Sequence, residues 1–312
     1  MTAILAVLAL VSRVLFSFAD PSITESSGLV DLGATMVTTN DSGDRAVLYV
    51  VDPATGRTVG RTVYAPAVTD VEALAPAGGD TVWAGDIGDN GAVRAGVRVY
   101  RVTVGRGERR VEAPSYGLVY PDGAHDAESL FVFRGRLYVI TKGVLGGTVY
   151  VAPQTLSADA SNRLEAVGTV AEWATDAALL PDGRHLLVRG YGTAEIVTVP
   201  GFRQVASFEL PAEQQGEGVS VGPGGRIRLS SEGVHSPVLQ VDLPEAVTAA
   251  MTPPSPSPSA SSGPAAAPTI DPTRGELPPM TTSSTPGPTL VIVGALVMLL
   301  GVSAWANRRR RR

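Results

Sequence analysis

His125-Asp-Ala-Glu-Ser-Leu130 is the stretch that decides the fold. Acids stand at its start, an apolar run follows, and after a turn a second apolar run ends in Thr141-Lys142. The same cassette recurs. Asp70-Val-Glu-Ala-Leu74 is the nearest copy, and Glu25-Ser-Ser-Gly-Leu29, Asp176-Ala-Ala-Leu-Leu180 and Glu217-Gly-Val-Ser-Val221 are looser ones. Repeats spaced by roughly 40–50 residues, each holding several short strands, are the mark of a β-propeller.

Between about Val14 and Pro244, short runs rich in Val, Thr, Tyr and Leu alternate with Gly, Pro, Asp and Asn, the pattern of strands and turns. The first unit is expected to place four strands at 28–32, 35–39, 46–51 and 57–64, with Asp52-Pro-Ala-Thr-Gly56 turning between the last two. Further units start at Val71, Ala127 and Asp176. The fifth offers only three strands, at 218–221, 226–230 and 238–243, before proline-rich chain begins. A spare apolar segment, Val14 to Phe18, precedes the first unit. A strand from one terminus completing the blade at the other closes a propeller ring and protects its edges. The expected fold is all-β: a five-bladed β-propeller closed by an N-terminal strand. A six-bladed ring is the alternative, if the long insertions of the second or third unit hide another blade.

The ends carry a different signal. Residues 289–306 are an uncharged apolar run with Trp305 near its end and arginines from Arg308 to Arg312 behind it. That length spans a bilayer, and the positive-inside rule places the 307–312 tail in the cytoplasm and everything upstream outside. Residues 251–288 are dominated by Pro, Ser, Thr and Ala without apolar periodicity, as expected of a disordered stalk. Residues 1–19 hold an apolar run and small residues suited to cleavage before Asp20, so they read as a signal segment whose end can double as the closing strand. The ectodomain is then 20–250, on a single-pass membrane protein. The 312 residues include no cysteine and carry a net charge of −5. Without the terminal arginines the remainder stands at about −10, which argues against nucleic acid as a partner.

In a propeller blade four antiparallel strands run outward from the axis. Loops leading into each first strand, and loops joining second to third strands, therefore share one face. The leading loops carry Glu25, Asp70, Glu72, His125, Asp126, Glu128, Asp176 and Glu217. The second-to-third loops carry Asp41, Asp44, Asp86, Asp89, Asn90, Lys142, Arg189 and Glu232. Converging carboxylates repel unless a cation compensates them, and hard oxygen ligands suit Ca2+. Asp86, Asp89 and Asn90 are the first metal candidates, then Asp41 and Asp44. Ligand contact is expected from Glu25, Glu72, His125, Asp126, Glu128, Lys142, Asp176, Arg189, Glu217 and Glu232. His125 and Lys142, the only lysine, are the candidates for acid–base work. Serine-hydrolase, zinc-protease and nucleotide-switch chemistry is not expected.

Glu25-Ser-Ser-Gly-Leu29, Asn40-Asp-Ser-Gly-Asp44, Gly85-Asp-Ile-Gly-Asp-Asn90 and His125-Asp-Ala-Glu-Ser-Leu130 resemble a group of bacterial, mainly actinobacterial, secreted or surface propellers similar to the NHL, TolB-like and strictosidine-synthase-like propellers. The resemblance implies the fold and an extracytoplasmic setting, with no settled activity. Two functions follow as expectations. The first is a membrane-anchored binding or scaffold module that holds an extracellular ligand or protein through its acidic mouth. The alternative is a metal-dependent hydrolase of an ester, lactone or phosphoester on the same face.

Overall fold

A computed structural model describes residues 11–41, 43 and 45–252. They build a five-bladed propeller. Blade 1 is Ser26–Asp31 (β2), Met36–Asn40 (β3), Val47–Val51 (β4) and Thr58–Val63 (β5). Blade 2 is Val71–Pro76 (β6), Thr81–Asp86 (β7), Val97–Thr103 (β8) and Ser115–Val119 (β10), with Gly107–Arg110 (β9) looped out between the last two. Blade 3 is Ala127–Phe133 (β11), Arg136–Thr141 (β12), Gly147–Val151 (β13) and Glu165–Val170 (β15), with Asn162–Arg163 (β14) before the last. Blade 4 is Asp176–Leu179 (β16), His185–Arg189 (β17), Thr193–Thr198 (β18) and Gln204–Glu209 (β19). Blade 5 is Gly216–Val221 (β20), Ile227–Ser231 (β21) and Pro237–Asp242 (β22), and Val11–Ser17 (β1) is its outer strand.

The sequence pattern explains the layering. Inner strands are covered by neighbouring blades on both faces, so β2, β6 and β11 are buried along nearly their whole length. Outer strands such as β15 and β19 keep an exposed face and read as alternating polar and apolar. The inner strands touch in the order β2, β6, β11, β16, β20 and back to β2, which closes the ring. Each junction between blades holds its own apolar cluster. Ala73, Leu118, Leu130 and Val139 fill the one between blades 2 and 3. Leu187, Ile196, Leu229 and Val241 fill the one between blades 4 and 5.

The junction between blades 5 and 1 depends on the N-terminal strand. β1 pairs antiparallel with β22 from Val11↔Asp242 to Ser17↔Pro237, three residues further upstream than the sequence pattern suggests. Phe16 and Phe18 pack there with Ile23, Leu29, Met36 and Val238. The Phe18 N–H donates to Ser236 O and the Ala19 N–H to Gly56 O. A leader ending at Ala19 and the closing strand thus lay claim to the same residues.

The six-bladed alternative fails for a physical reason. The long insertions of units two and three contain straps, not a blade. β9 leaves blade 2 and runs parallel to β5 of blade 1. β14 leaves blade 3 and pairs in parallel with β10 of blade 2, where the Asn162 side-chain amide donates to Gly117 O. After β22 comes one short α-helix, Glu245–Met251 (α1). Among the described residues no helix is long and apolar enough to cross a membrane. The stalk from residue 253 on, the apolar run 289–306 and the arginine tail lie outside the described residues.

Candidate functional site

Four of the five inner strands carry a β-bulge near their start. The register slips between Ser26 and Gly28, Val71 and Ala73, Ala127 and Ser129, and Gly216 and Val219. Bulges re-aim side chains and recur beside functional sites. Here they fall on Ser27, Glu72, Glu128 and the Glu217-Gly218 step. In blade 4 the pairing Asp176↔Arg189, Ala177↔Val188 runs without a slip. The three bulge glutamates are buried, at 5%, 4% and 5% exposure. Their negative charges act on one another, Glu128 on Glu72 and Glu217 on Glu128, so three separate blades deliver carboxylates to one axial mouth.

The densest group is Asp41, Asp70 and Glu72, each with a ligand-capable oxygen within 4.8 Å of the others'. Asp70 and Glu72 precede and occupy the bulge of β6, and Asp41 follows β3 of the neighbouring blade. Burial, then the Asp41 carboxylate, pushes the Asp70 carboxyl up to about 7. Burial, then Glu128, Asp41 and Asp70, raises Glu72 well above the usual range. Asp70 Oδ1 is buried without a hydrogen-bond partner, a costly state for a carboxylate oxygen. Gly88 makes the packing possible, because a Cβ there would stand 2.4 Å from Asp70 Oδ2 and 2.7 Å from Glu72 Cγ. The donors are all hard oxygens, which fits Ca2+ or Mg2+ and not a thiophilic ion.

Opposite charge enters beside Glu128. The Lys142 ammonium is ion-paired to Glu128 and donates to the Tyr191 hydroxyl at 2.7 Å. It lies 5.1 Å from the Tyr191 ring centroid and 6.0 Å from that of Trp173, and these two rings meet edge to face. Burial works against the lysine's charge, but Glu128, Tyr191 and Glu217 outweigh it and hold its pKa above the ordinary value. The ion pair with Glu128 thus favours the ammonium form of Lys142. Next to it the Gln215 side-chain amide donates to both Glu217 Oε1 (3.1 Å) and Glu232 Oε1 (2.6 Å). Burial pushes Glu217 up to about 7 against the pull of Lys142. Burial and the neighbouring Glu217 and Asp41 push Glu232 up to about 8.

The other expected site residues are placed differently. Asp86 pairs with Arg94 at 2.9 Å and accepts the Thr69 and Asp70 N–H groups. Asp89 accepts the Arg94 N–H while its own N–H donates to Asp126, and Asn90 is exposed. That loop is thus held by an arginine and backbone amides, and it supports the Asp70 strand. Asp44 lies outside the described residues. Asp176 is wholly buried and accepts the Val219 and Ala177 N–H groups. Arg189 is equally buried, paired with Glu213 at 2.8 Å and donating to Gly218 O. Both join blade 4 to blade 5 inside the wall and do not reach the mouth. His125 sits between Asp122 and Tyr150, at 3.0 and 3.1 Å. Glu25 bridges to Glu232 through the backbone.

Sequence reasoning passed over Trp173, Gln215 and Glu213. Trp173 and Glu213 lie in irregular segments with no pattern to flag them. Gln215 does stand two residues before the bulge Glu217, as Asp70 and Asp126 stand before Glu72 and Glu128. The chain also contains Gly218-Val-Ser-Val-Gly222, the spacing of a nucleophile elbow. It lies along strand β20, and the Ser220 hydroxyl accepts the Asp31 N–H, so it lacks the strand-to-helix turn that such an elbow requires.

No family model and no curated protein matches the sequence. Among solved structures, the chain is similar to Myxococcus xanthus glutaminyl cyclase at 12% identity and TM-score 0.48, over 75% of this chain and 98% of that one. It is similar to the PQQ-bound aldose sugar dehydrogenase of Streptomyces coelicolor, also at 12% identity, with TM-score 0.45 over the same shares. A streptogramin B lyase structure gives 12% identity and TM-score 0.44, over 75% and 98%. At this distance no activity of theirs is carried to this chain.

Proposed function

We propose that this chain is a membrane-anchored, extracytoplasmic propeller that binds a divalent cation at its axial mouth and offers the ion to a ligand outside the cell. The observation that carries the reading is the Asp41–Asp70–Glu72 convergence, with one Asp70 oxygen buried and unpartnered. Three carboxylates leave a Ca2+ ion short of the 6–8 oxygens it takes, roughly half of them to come from water or ligand. The anchor reading rests on the 289–306 run and its arginines. The test is calorimetric titration of the full-length chain in detergent with Ca2+ and Mg2+, beside Asp70→Asn and Glu72→Gln. Saturable binding lost in both variants supports the reading. No heat above dilution, with no rise in melting temperature, sinks it.

A metal-assisted hydrolase on the same face is the second reading. It is favoured by Lys142, an ammonium with two of its three donors committed, which suits an anion better than a proton transfer. Turnover of ester, lactone or phosphoester substrates by the ion-loaded chain, abolished by Glu72→Gln, would select it.

A further inference from the structure

The apolar surface of the propeller is lopsided. Among the described residues eight large hydrophobic side chains are exposed. Val11 and Val14 lie on the outer strand β1, and Val167 on the outer strand β15. The other five are Val93 at 81%, Val144 at 71%, Leu145 at 99%, Trp173 at 37% and Val234 at 54%. Val93 is in the β7–β8 loop, Val144 and Leu145 in β12–β13, Trp173 in the loop leading to β16 and Val234 in β21–β22. By the antiparallel meander all these loops lie on the face of the acidic mouth. The loops of the opposite face expose no large hydrophobic residue among those described. Trp173 packs on Tyr191, but the other four side chains add little to the core, and the gathering of all five on one face marks a contact surface.

The charge inside that ring says what the contact brings. Glu217 and Glu232 share a single amide from Gln215. The cations that reach Glu217, Lys142 and Arg189, are already paired with Glu128 and Glu213. These two carboxylates therefore lack full compensation, and a further cation from outside would be welcomed there. A lipid surface fits less well, since the phosphates of its headgroups would meet carboxylates. A flat apolar partner would leave the centre of the ring unpaired.

We propose that the mouth face docks a partner protein whose contact loop carries a lysine or arginine between apolar residues. The basic side chain enters beside Glu217 and Glu232, and the apolar neighbours rest on Leu145, Trp173, Val93 and Val234. This interface adjoins the ion site, since Asp41 acts on both Glu217 and Glu232, and the two are told apart by removing the ion.

The test is a phage-displayed library of cyclic peptides panned against the full-length chain in detergent with EDTA, so that ion binding plays no part. Recovered peptides are expected to carry Lys or Arg flanked by apolar residues, and exchanging that base for Gln should weaken them by roughly tenfold or more. Leu145→Asp and Glu232→Gln should each weaken them by roughly tenfold without lowering the melting temperature, because the first side chain is fully exposed and the second change is isosteric and removes an uncompensated charge. Peptides without a basic residue, or binding Leu145→Asp as tightly as the parent chain, would overturn the proposal. So would Leu145-dependent binding to phosphatidylcholine vesicles, or Leu145-dependent self-association in sedimentation, since each names a different occupant for the face.

Discussion

The ammonium of Lys142, just past the second strand of blade 3, lies 2.7 Å from the hydroxyl of Tyr191 in the corresponding loop of blade 4. Its other strong partner is Glu128, at the bulge of its own blade's inner strand. One lysine thus ties two blades together at the mouth and compensates Glu128, on which Glu217 and Asp126 also act. The bulges and this lysine belong to one design. The bulges turn Glu72, Glu128 and Glu217 inward, and the lysine makes their nearness tolerable.

Replacing that lysine isolates a buried charge. In Lys142→Met, Glu128 keeps its burial and loses its counter-ion, so the chain should lose about 3 kcal/mol of stability at neutral pH. The loss should shrink as the pH falls and Glu128, whose burial raises its pKa, takes up a proton. Adding Glu128→Gln should restore much of it. Urea denaturation of the single and double variants at two pH values gives the cycle. Equal losses at both pH values would show that Lys142 acts by packing alone.

The acid pair on the other side sets a pH dependence. Glu217 and Glu232 are held up to about 7 and about 8, above the value of about 4.3 for a free glutamate. Between those values the folded chain binds more protons than the unfolded one, so stability falls as pH rises. The drop between pH 5 and pH 8 should be about 2 kcal/mol after allowance for solvent screening. Glu217→Gln and Glu232→Gln should each flatten the profile. A stability that rises over this window in EDTA would contradict the geometry of the pair.

How far the sequence reached can be read from these residues. Glu72 and Glu128 were legible because each stands third in a repeated cassette, counted from its aspartate, and Glu217 because it opens another, and repetition plus the meander puts them on one face. Asp176 opens the fourth cassette as Glu217 opens the fifth, and it looks equivalent on paper. Its strand lacks the bulge, so its carboxylate turns into the wall and binds backbone amides. A one-residue slip of register reverses a side chain's direction, and nothing in the string of letters announces it. Asp86 and Asp89 misled for a related reason, since Arg94, which holds them, follows Asp89 by five positions in a loop without periodicity. The straps β9 and β14 were invisible because four residues or two, pairing with a neighbouring blade, leave no pattern of their own.

The ion site leans on a glycine. A Cβ at Gly88 would collide with Asp70 and Glu72, so Gly88→Ala must spread the two carboxylates or displace the loop. The affinity for Ca2+ should fall by about 10- to 100-fold, the range for residues that orient metal ligands. Calorimetric titration measures it, and the melting temperature in EDTA serves as the folding control. Unchanged affinity would move the ion away from Asp70 and Glu72.

The closing strand gives the sharpest test of the fold. Removal of residues 1–19 takes away β1, the whole outer edge of blade 5, and with it Phe16 and Phe18, which are 7% and 0% exposed. Each buried phenylalanine lost costs about 3–5 kcal/mol, against a total stability of roughly 5–15 kcal/mol for a domain. The β22 backbone would also be left as an unpaired edge open to another chain. A chain starting at Asp20 should therefore lack a cooperative melting transition and self-associate, whereas one starting at Val11 should melt as the longer chain does. Phe18→Ala in the longer chain should lower stability by about 3–5 kcal/mol without opening the ring. Thermal denaturation and size-exclusion chromatography of the three chains decide the matter. A monomeric, cooperatively melting chain from Asp20 would mean that blade 5 stands on three strands.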